Sequence, residues 1–240
     1  MKIKITNLTF IHKDNLILKD ISFSFTDKNF ITLIGRNGSG KSTLIKILSG
    51  LLIPTNGFIG EEVKISNRLY YYRKLQKKEQ KLNLIGIIFQ KPDNQIINSI
   101  VENDIAFGLE NNRIERKKMY QIVDDVLNFL NIKRLKKRDI NTLSGGEKQL
   151  VALASILVLK YKFLLFDEVT SMLDIANTNF VIERIKNLHN QKKCGIIFVT
   201  HKLNLLKYGE KTLILNKGEK VFFDNTKKIT EDLLKNLKLI

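Results

Sequence analysis

Cysteine and long apolar runs are scarce in this sequence. Its 240 residues include one cysteine, Cys194, which excludes an intrachain disulfide and favours a reducing compartment. No apolar run approaches the roughly 18 residues of a membrane-spanning helix. Residues 1–7 alternate polar and apolar side chains and lack the apolar core of a signal peptide. We therefore expect a cytosolic protein, or one that binds a membrane only at its surface.

Acidic residues are also few. Lysine and arginine total 41 against 24 aspartates and glutamates, a net charge of +17. Such a charge suits nucleic acid, an anionic membrane surface, or a solvated surface without a ligand. Residues 70–74 combine three tyrosines with Arg73 and Lys74, a mixture that can stack on RNA. Because the lysines are spread along the chain, we favour a solvated surface, and for the tyrosines a polar insertion in which they pack.

The most informative stretch fits the pattern G-x-x-x-x-G-K-[ST], the P-loop that binds nucleotide phosphates. Its residues are Gly35, Arg36, Asn37, Gly38, Ser39, Gly40, Lys41, Ser42 and Thr43. An apolar run at 30–34 predicts a buried strand before it, and the run at 44–48 predicts a helix after it. This context argues against a chance glycine-rich turn.

The order of strand, glycine loop and helix serves phosphate chemistry. Glycines let successive backbone N–H groups face one concavity, and the helix N-terminus adds a partial positive charge. Lys41 then reaches the β- and γ-phosphates, and the Ser42 hydroxyl binds Mg²⁺. The stretch therefore predicts a nucleotide site.

The remaining chain alternates strand and helix patterns. Residues 2–10 and 16–25 predict an antiparallel strand pair; further strands are predicted at 84–89, 163–166 and 195–199, and a hairpin at 212–223. Helical patterns span 99–137, 144–159 and 179–188, and a short helix, capped by Thr230, ends the chain. We expect one domain over 1–240: a nucleotide-binding core with a β subdomain (1–89 and 160–225), a helical insertion (90–159) and a C-terminal helix (226–240).

Polar residues stand at the ends of three of the predicted strands. Gln90, the pair Asp167 and Glu168, and His201 each stand where an apolar strand ends. Carboxyl ends of parallel strands line the ligand crevice, where the P-loop also lies. A carboxylate that merely ends a strand is the simpler alternative for Asp167 and Glu168, but the P-loop earlier in the chain argues against it.

These residue types suit the hydrolysis of a bound nucleotide. Asp167 is predicted to hold Mg²⁺ through water, and Glu168 to polarise the attacking water. Gln90 is placed to touch Mg²⁺ and that water, and His201 to contact the γ-phosphate. His12 and His189 are weaker candidates for the nucleotide site, and we expect His189 at the surface.

A second anion-binding pattern occurs at Ser144, Gly145 and Gly146. This stretch opens a helix, with Ser144 and Glu147 at capping-box spacing, so it presents unpaired N–H groups to an anion. It cannot obviously serve the same nucleotide. If it serves the ATP of a second molecule, two chains sandwich two nucleotides.

Six motifs in one order resemble those of the ATP-binding cassette (ABC) ATPases. They are the P-loop (Walker A), Gln90 (Q-loop), residues 143–147 (signature), 163–168 (Walker B), 171–174 (D-loop) and His201 (switch histidine). The resemblance implies an α/β P-loop NTPase with a RecA-like core, an antiparallel β subdomain and an inserted α-helical signature subdomain. It also implies ATP and Mg²⁺ as cofactors, and it places Asp174 of the D-loop among the nucleotide-site residues. His12 stands where the family usually has an aromatic residue that stacks on adenine.

Residues 89–95 and 101–111 are similar to those of the energy-coupling factor (ECF) transporter ATPases. These importers take up vitamins and metal ions such as cobalt. The resemblance implies a second ABC ATPase, identical or related, a membrane coupling protein that docks after Gln90, and a substrate-binding membrane subunit. It implies a peripheral position on the cytoplasmic side of the cell membrane and no direct contact with nucleic acid.

Two alternatives belong to other functional classes. The charge of +17 suggests a soluble ABC ATPase that acts on nucleic acid or ribosomes. Such proteins usually carry two cassettes or long coiled coils, and neither pattern appears in this sequence. The other alternative is an ATPase of iron–sulfur cluster assembly, which would bind a soluble scaffold in place of a membrane protein.

Overall fold

The computed structural model describes residues 1–64, 70–74, 84–192 and 194–240. The strands, in chain order, are β1 (Lys2–His12), β2 (Asn15–Thr26), β3 (Phe30–Ile34), β4 (Asn56–Lys64), β5 (Tyr70–Lys74), β6 (Ile85–Ile88), β7 (Phe163–Asp167), β8 (Gly195–Val199), β9 (Lys211–Asn216) and β10 (Glu219–Asn225). The α-helices are α1 (Lys41–Leu48), α2 (Val101–Asn111), α3 (Arg116–Phe129), α4 (Gly145–Leu157), α5 (Ile175–Lys192) and α6 (Glu231–Asn236).

A six-stranded sheet forms the centre, in the order β10-β9-β3-β8-β7-β6. The five strands from β9 to β6 run parallel to their neighbours, and β10 pairs antiparallel with β9. Strands β3, β7 and β8 are buried along their whole length, which agrees with their continuous apolar sequences. The carboxyl ends of β3, β6, β7 and β8 therefore meet at one edge, as predicted.

The two faces of this sheet are covered by different layers. In β7, Leu164 and Phe166 face a core shared with α2 to α5, whereas Phe163 and Leu165 face a core shared with α1 and the second sheet. This alternation is the period of two expected of a strand buried on both faces. The inserted helices α2 to α4 lie between β6 and β7 in the chain, and α4 begins with the predicted Ser144–Glu147 capping box.

The second sheet is antiparallel, in the order β2-β1-β4-β5. It contains the predicted strand pair as β1 and β2. It also contains β5, which pairs with β4 and occupies the tyrosine-rich stretch that we expected to be a polar insertion. The sequence did not predict a strand at 70–74. The packing predicted for the three tyrosines falls outside the described side chains.

Two details of the helices differ from expectation. Helix α5 starts earlier than predicted, because the Asp174 carboxylate accepts a hydrogen bond from the Asn177 backbone N–H at 2.8 Å. His189, on that helix, is buried rather than exposed: its ring packs edge-on against Phe30 at a centroid distance of 5.7 Å, and its Nδ1 lies 2.7 Å from the Cys194 carbonyl oxygen. In the part of the chain that is described, no helix has the length and apolar character needed to cross a membrane.

Helix α6 packs on the central sheet. Thr230 caps it as predicted, its hydroxyl accepting from the Leu233 N–H at 3.2 Å. Leu233, Leu234 and Leu237 pack on a small core that includes Ile34 at the end of β3. The C-terminal helix thus contacts the strand that leads into the P-loop.

The contact between the two sheets generates a stability prediction. Phe163 is 1% exposed, and its ring meets the Phe25 ring edge-on at a centroid distance of 5.1 Å. Replacing Phe163 by alanine should lower the free energy of unfolding by about 3–5 kcal/mol, measured by urea titration with circular dichroism. The control Val221→Ala, at a residue 40% exposed, should change it by less than about 0.5 kcal/mol. Equal effects of the two substitutions would contradict the assignment of Phe163 to the core.

Candidate functional site

The P-loop joins β3 to α1 through a glycine-dependent turn. Gly40 has φ of 97°, and a Cβ built there would lie 2.5 Å from Leu18 Cδ2. Both facts require glycine, because other residues rarely adopt this φ and no space remains for a side chain. Gly40 precedes α1 without a side-chain cap. The first backbone N–H groups of α1 therefore have no side-chain acceptor from Gly40 and are available to an anion.

A cleft of about 740 Å³ opens over this loop. It is lined by Ile17, Asn37, Gly38, Ser39, Gly40, Lys41, Ser42, Thr43, Gln90, Glu168 and His201. A neighbouring cleft of about 500 Å³ shares four of these residues and adds Gly35 and Arg36. All nine P-loop residues thus line one cleft or the other. The sequence did not predict Ile17 as a lining residue. The alternation in β2, which places Ile17 on the face opposite the buried Leu18, gives only a weak indication of this position.

Lys41 lies at the base of the cleft, held by the loop itself. Its Nζ donates to the carbonyl oxygens of Gly35 at 2.8 Å and Arg36 at 3.1 Å. Burial lowers the pKa of the Lys41 ammonium, and the charges of Glu168 and Asp167 oppose that shift. The loop carbonyls therefore hold the ammonium in place, and the charges of the two carboxylates favour its protonated form.

Ser42 and Asp167 form a pair of oxygen donors beside Lys41. The Ser42 hydroxyl donates to Asp167 Oδ1 at 3.1 Å, and Asp167 is 6% exposed. Burial raises the pKa of the Asp167 carboxyl, which the Ser42 hydrogen bond partly offsets. A hydroxyl and a carboxylate fit Mg²⁺, which takes one or two carboxylates and completes its shell with phosphate and water oxygens. Within the described ranges no three His, Cys, Asp or Glu side chains form a metal-binding group, so phosphate and water oxygens would have to complete that shell.

Glu168 is the centre of the polar groups at the sheet edge. Gln90 Nε2 donates to its Oε2 at 3.3 Å, and His201 Nδ1 lies 3.4 Å from the same oxygen. The sequence predicted that strand ends would bring these three side chains together, and the geometry does so. Glu168 has φ of 51°, a left-handed conformation that costs a residue with a side chain roughly 1–2 kcal/mol.

Six predicted site residues are absent from the described lining of the two clefts: His12, Ser144, Gly145, Gly146, Asp167 and Asp174. Asp167 still contacts a lining residue, through its hydrogen bond with Ser42. Three of the other five have a local role in the chain. The Ser144 hydroxyl caps α4, Asp174 caps α5, and the His12 ring stacks on Phe10 at 6.4 Å. The Ser144 backbone N–H, bonded to Glu147, lowers the pKa of that carboxyl. The part of Ser144, Gly145, Gly146 and Asp174 in nucleotide binding stays a prediction that involves a second chain, and the stacking of His12 on adenine stays a prediction for this chain's own nucleotide.

Comparison with known proteins agrees with this geometry. The family described as ABC transporter matches residues 18–171. The ECF transporter ATP-binding protein EcfA1 of Ureaplasma parvum is 40% identical over 221 residues, covering 90% of this chain and 72% of that protein.

Two solved structures are similar over nearly the whole chain. The cbiO1 protein of Clostridium perfringens, described as part of the ABC transporter complex cbiONQ, superposes with a TM-score of 0.82 at 27% identity, covering 99% of this chain and 94% of that one. A dimeric structure of a bacterial ABC transporter cassette gives a TM-score of 0.80 at 26% identity, covering 95% of this chain and 100% of that one.

The buried Asp167 carboxyl predicts a pH-dependent stability. Because its pKa is raised in the folded protein, the stabilisation from its proton is present below the ordinary aspartate pKa of about 3.9 and is lost as the pH rises through the raised value. Asp167→Asn should therefore unfold less readily than wild type at pH 7 without nucleotide or magnesium, and the difference should vanish in acid. Chemical denaturation across pH measures this. The exposed Asp125→Asn is the control, and an Asp167→Asn protein less stable than wild type at pH 7 would contradict the prediction.

Proposed function

The chain belongs to the ABC transporter family, and its sequence is similar to those of ECF ATP-binding proteins. We infer its function from this membership. It is an ATPase that binds and hydrolyses ATP. We propose that it energises an ECF-type importer of a vitamin or metal ion. The catalytic part of this proposal is supported by one observation. Gln90 and His201 both contact Glu168, in the cleft that Lys41 and Ser42 also line, and Ser42 is hydrogen-bonded to Asp167.

In this proposal the P-loop binds the triphosphate. Its backbone N–H groups and the start of α1 face the phosphates, and Lys41 exchanges its carbonyl partners for phosphate oxygens. Ser42 and Asp167, with Gln90, would hold Mg²⁺, which neutralises charge that develops on the phosphates. The buried position of Asp167 favours a cationic partner, because a carboxylate removed from water is costly alone.

Glu168 is the proposed general base. Its carboxylate accepts a proton from the water that attacks the γ-phosphate, while Gln90 and His201 hold the carboxylate and that water in line. The left-handed backbone of Glu168 aims its side chain from the end of β7 towards the P-loop. This fits strain retained at a functional site.

The residues outside the cleft point to a second cassette. We propose that Ser144, Gly145 and Gly146, at the N-terminus of α4, bind the nucleotide held by another ABC ATPase, with Asp174 beside them. The support is that they lie away from this chain's own cleft, and that a similar cassette forms a dimer. ATP would then close a head-to-tail pair and hydrolysis would reopen it.

The membrane partners are proposed from the similarity of this chain to known transporter proteins. The relative from Ureaplasma parvum is named for an ECF transporter, and the similar cbiO1 is described as part of a complex. We propose that this chain binds a membrane coupling protein at the segment after Gln90, on the cytoplasmic face, and that a further membrane subunit selects the substrate.

Replacing Glu168 by glutamine tests the assignment of the base. The variant should bind ATP about as well as wild type, because the P-loop is untouched, and kcat should fall about 100-fold or more, because the amide accepts no proton. Steady-state ATPase assays and fluorescent-ATP titration measure both. The comparison variant Lys41→Ala should lose affinity about tenfold or more. Brisk hydrolysis by Glu168→Gln would remove Glu168 from its role.

Purification from native membranes tests the transport assignment. The tagged chain, taken from detergent-solubilised membranes, should retain a coupling membrane protein, a small substrate-binding membrane protein and a cassette ATPase, identified by mass spectrometry. The Lys41→Ala chain is the reference for contacts that need nucleotide. Recovery of ribosomal proteins or a soluble scaffold, without membrane proteins, would overturn the importer proposal and leave the ATPase chemistry standing.

A further inference from the structure

Two glutamine side chains hold the backbone of Phe89. The Phe89 N–H donates to Gln95 Oε1 at 3.4 Å, and its carbonyl oxygen accepts from Gln149 Nε2 at 3.2 Å. The ladder between β6 and β7 stops at Ile88, so the sheet no longer pairs the Phe89 backbone. The glutamines therefore replace the missing strand partner on both polar groups of this residue.

Both glutamines connect Phe89 to helix α4. Gln149 belongs to the helix and is 2% exposed. Gln95, in the loop after β6, donates its Nε2 to the Ala152 carbonyl oxygen of the same helix at 2.8 Å. A third contact, from Lys148 to Asp93 at 2.8 Å, joins the helix to that loop. The position of Phe89 is thus tied to α4 at several points.

Packing alone does not account for Gln149. Its Oε1 is buried and has no hydrogen-bond partner among the described residues. An unpaired buried acceptor is unfavourable, and a leucine of similar size would avoid it. The benefit of an amide here is its single donated bond to Phe89.

Phe89 immediately precedes Gln90, whose amide contacts Glu168 at 3.3 Å. Helix α4 begins at the Ser144–Gly146 stretch, outside the cleft. A continuous set of hydrogen bonds and covalent bonds therefore leads from the N-terminus of α4, through Gln149 and the Phe89 backbone, to the proposed base. Neither Gln95 nor Gln149 is in the described cleft lining, so both act at a distance from the phosphates.

We propose that Gln149 and Gln95 are positioning residues, which set the Gln90 amide against Glu168 according to where α4 lies. The inference rests on the proposed function, in which the start of α4 engages the nucleotide of a second cassette. Engagement there would then be communicated to this chain's own Glu168 through the Phe89 backbone. Each chain would hydrolyse its ATP when its α4 is docked.

Replacing Gln149 by leucine removes the donor and keeps the size. We expect kcat to fall about tenfold, because Gln90 loses its exact placement, and KM for ATP to stay at the wild-type value, because the P-loop is unchanged. The melting temperature should stay within about 4 °C, since the unpaired acceptor is lost together with the bond. Gln149→Met, which keeps the length without the donor, should lower kcat similarly. The control is Gln121→Leu, on the exposed face of α3, with unchanged kcat and KM.

A double-variant comparison decides how Gln149 acts. If it works through Gln90, the kcat of Gln90→Ala combined with Gln149→Leu should equal that of Gln90→Ala alone. Three outcomes would each overturn the inference. They are a double variant whose loss of kcat is the product of the two single losses, full activity of either Gln149 variant, and a loss of kcat accompanied by a fall in melting temperature larger than about 4 °C. Wild-type chain is assayed in parallel: its failure to hydrolyse ATP would defeat the proposed function, whereas an active wild type with an equally active Gln149→Leu defeats only this inference.

Discussion

The hydrogen bond from Ser42 to Asp167 joins the first turn of α1 to the carboxyl end of β7. A carboxylate with 6% exposure needs a partner, and the hydroxyl is the partner that the fold supplies. Because Glu168 is the next residue, the same contact sets the distance between the P-loop and the proposed base. One hydrogen bond and the strand behind it therefore position the nucleotide loop, the proposed magnesium ligands and the proposed base.

The parallel sheet makes that arrangement possible. Ile88 lies opposite Phe166, and Asp167 lies opposite Val199, so β6, β7 and β8 end at nearly the same level. Polar residues that follow these strands emerge side by side, although they are far apart in sequence. Burial of the strands on both faces makes their register stiff, which suits a site whose members must meet within hydrogen-bonding distance.

Much of this arrangement was predictable, and the misses have physical causes. Strands such as β3 and β8 are short apolar runs, and burial on both faces leaves that pattern in the sequence. The prediction for His189 was wrong because its contacts, with Phe30 and with the Cys194 carbonyl oxygen, are tertiary and leave no local pattern in the sequence. Strand β5 depends on pairing with β4, and its mixed sequence shows no alternation. The place of Ser144 away from the cleft follows from packing of the helical insertion, which periodicity does not reveal.

The left-handed backbone at Glu168 has a consequence for protein engineering. Glycine or asparagine adopts φ near 51° more readily than glutamate does, so either would relieve local strain. Selection of this chain for heat resistance alone would therefore favour losing the glutamate. A screen for thermostable variants would therefore have to test each substitution of Glu168 for ATP hydrolysis as well. The backbone conformation at this position disfavours glutamate, whereas the proposed chemistry requires it.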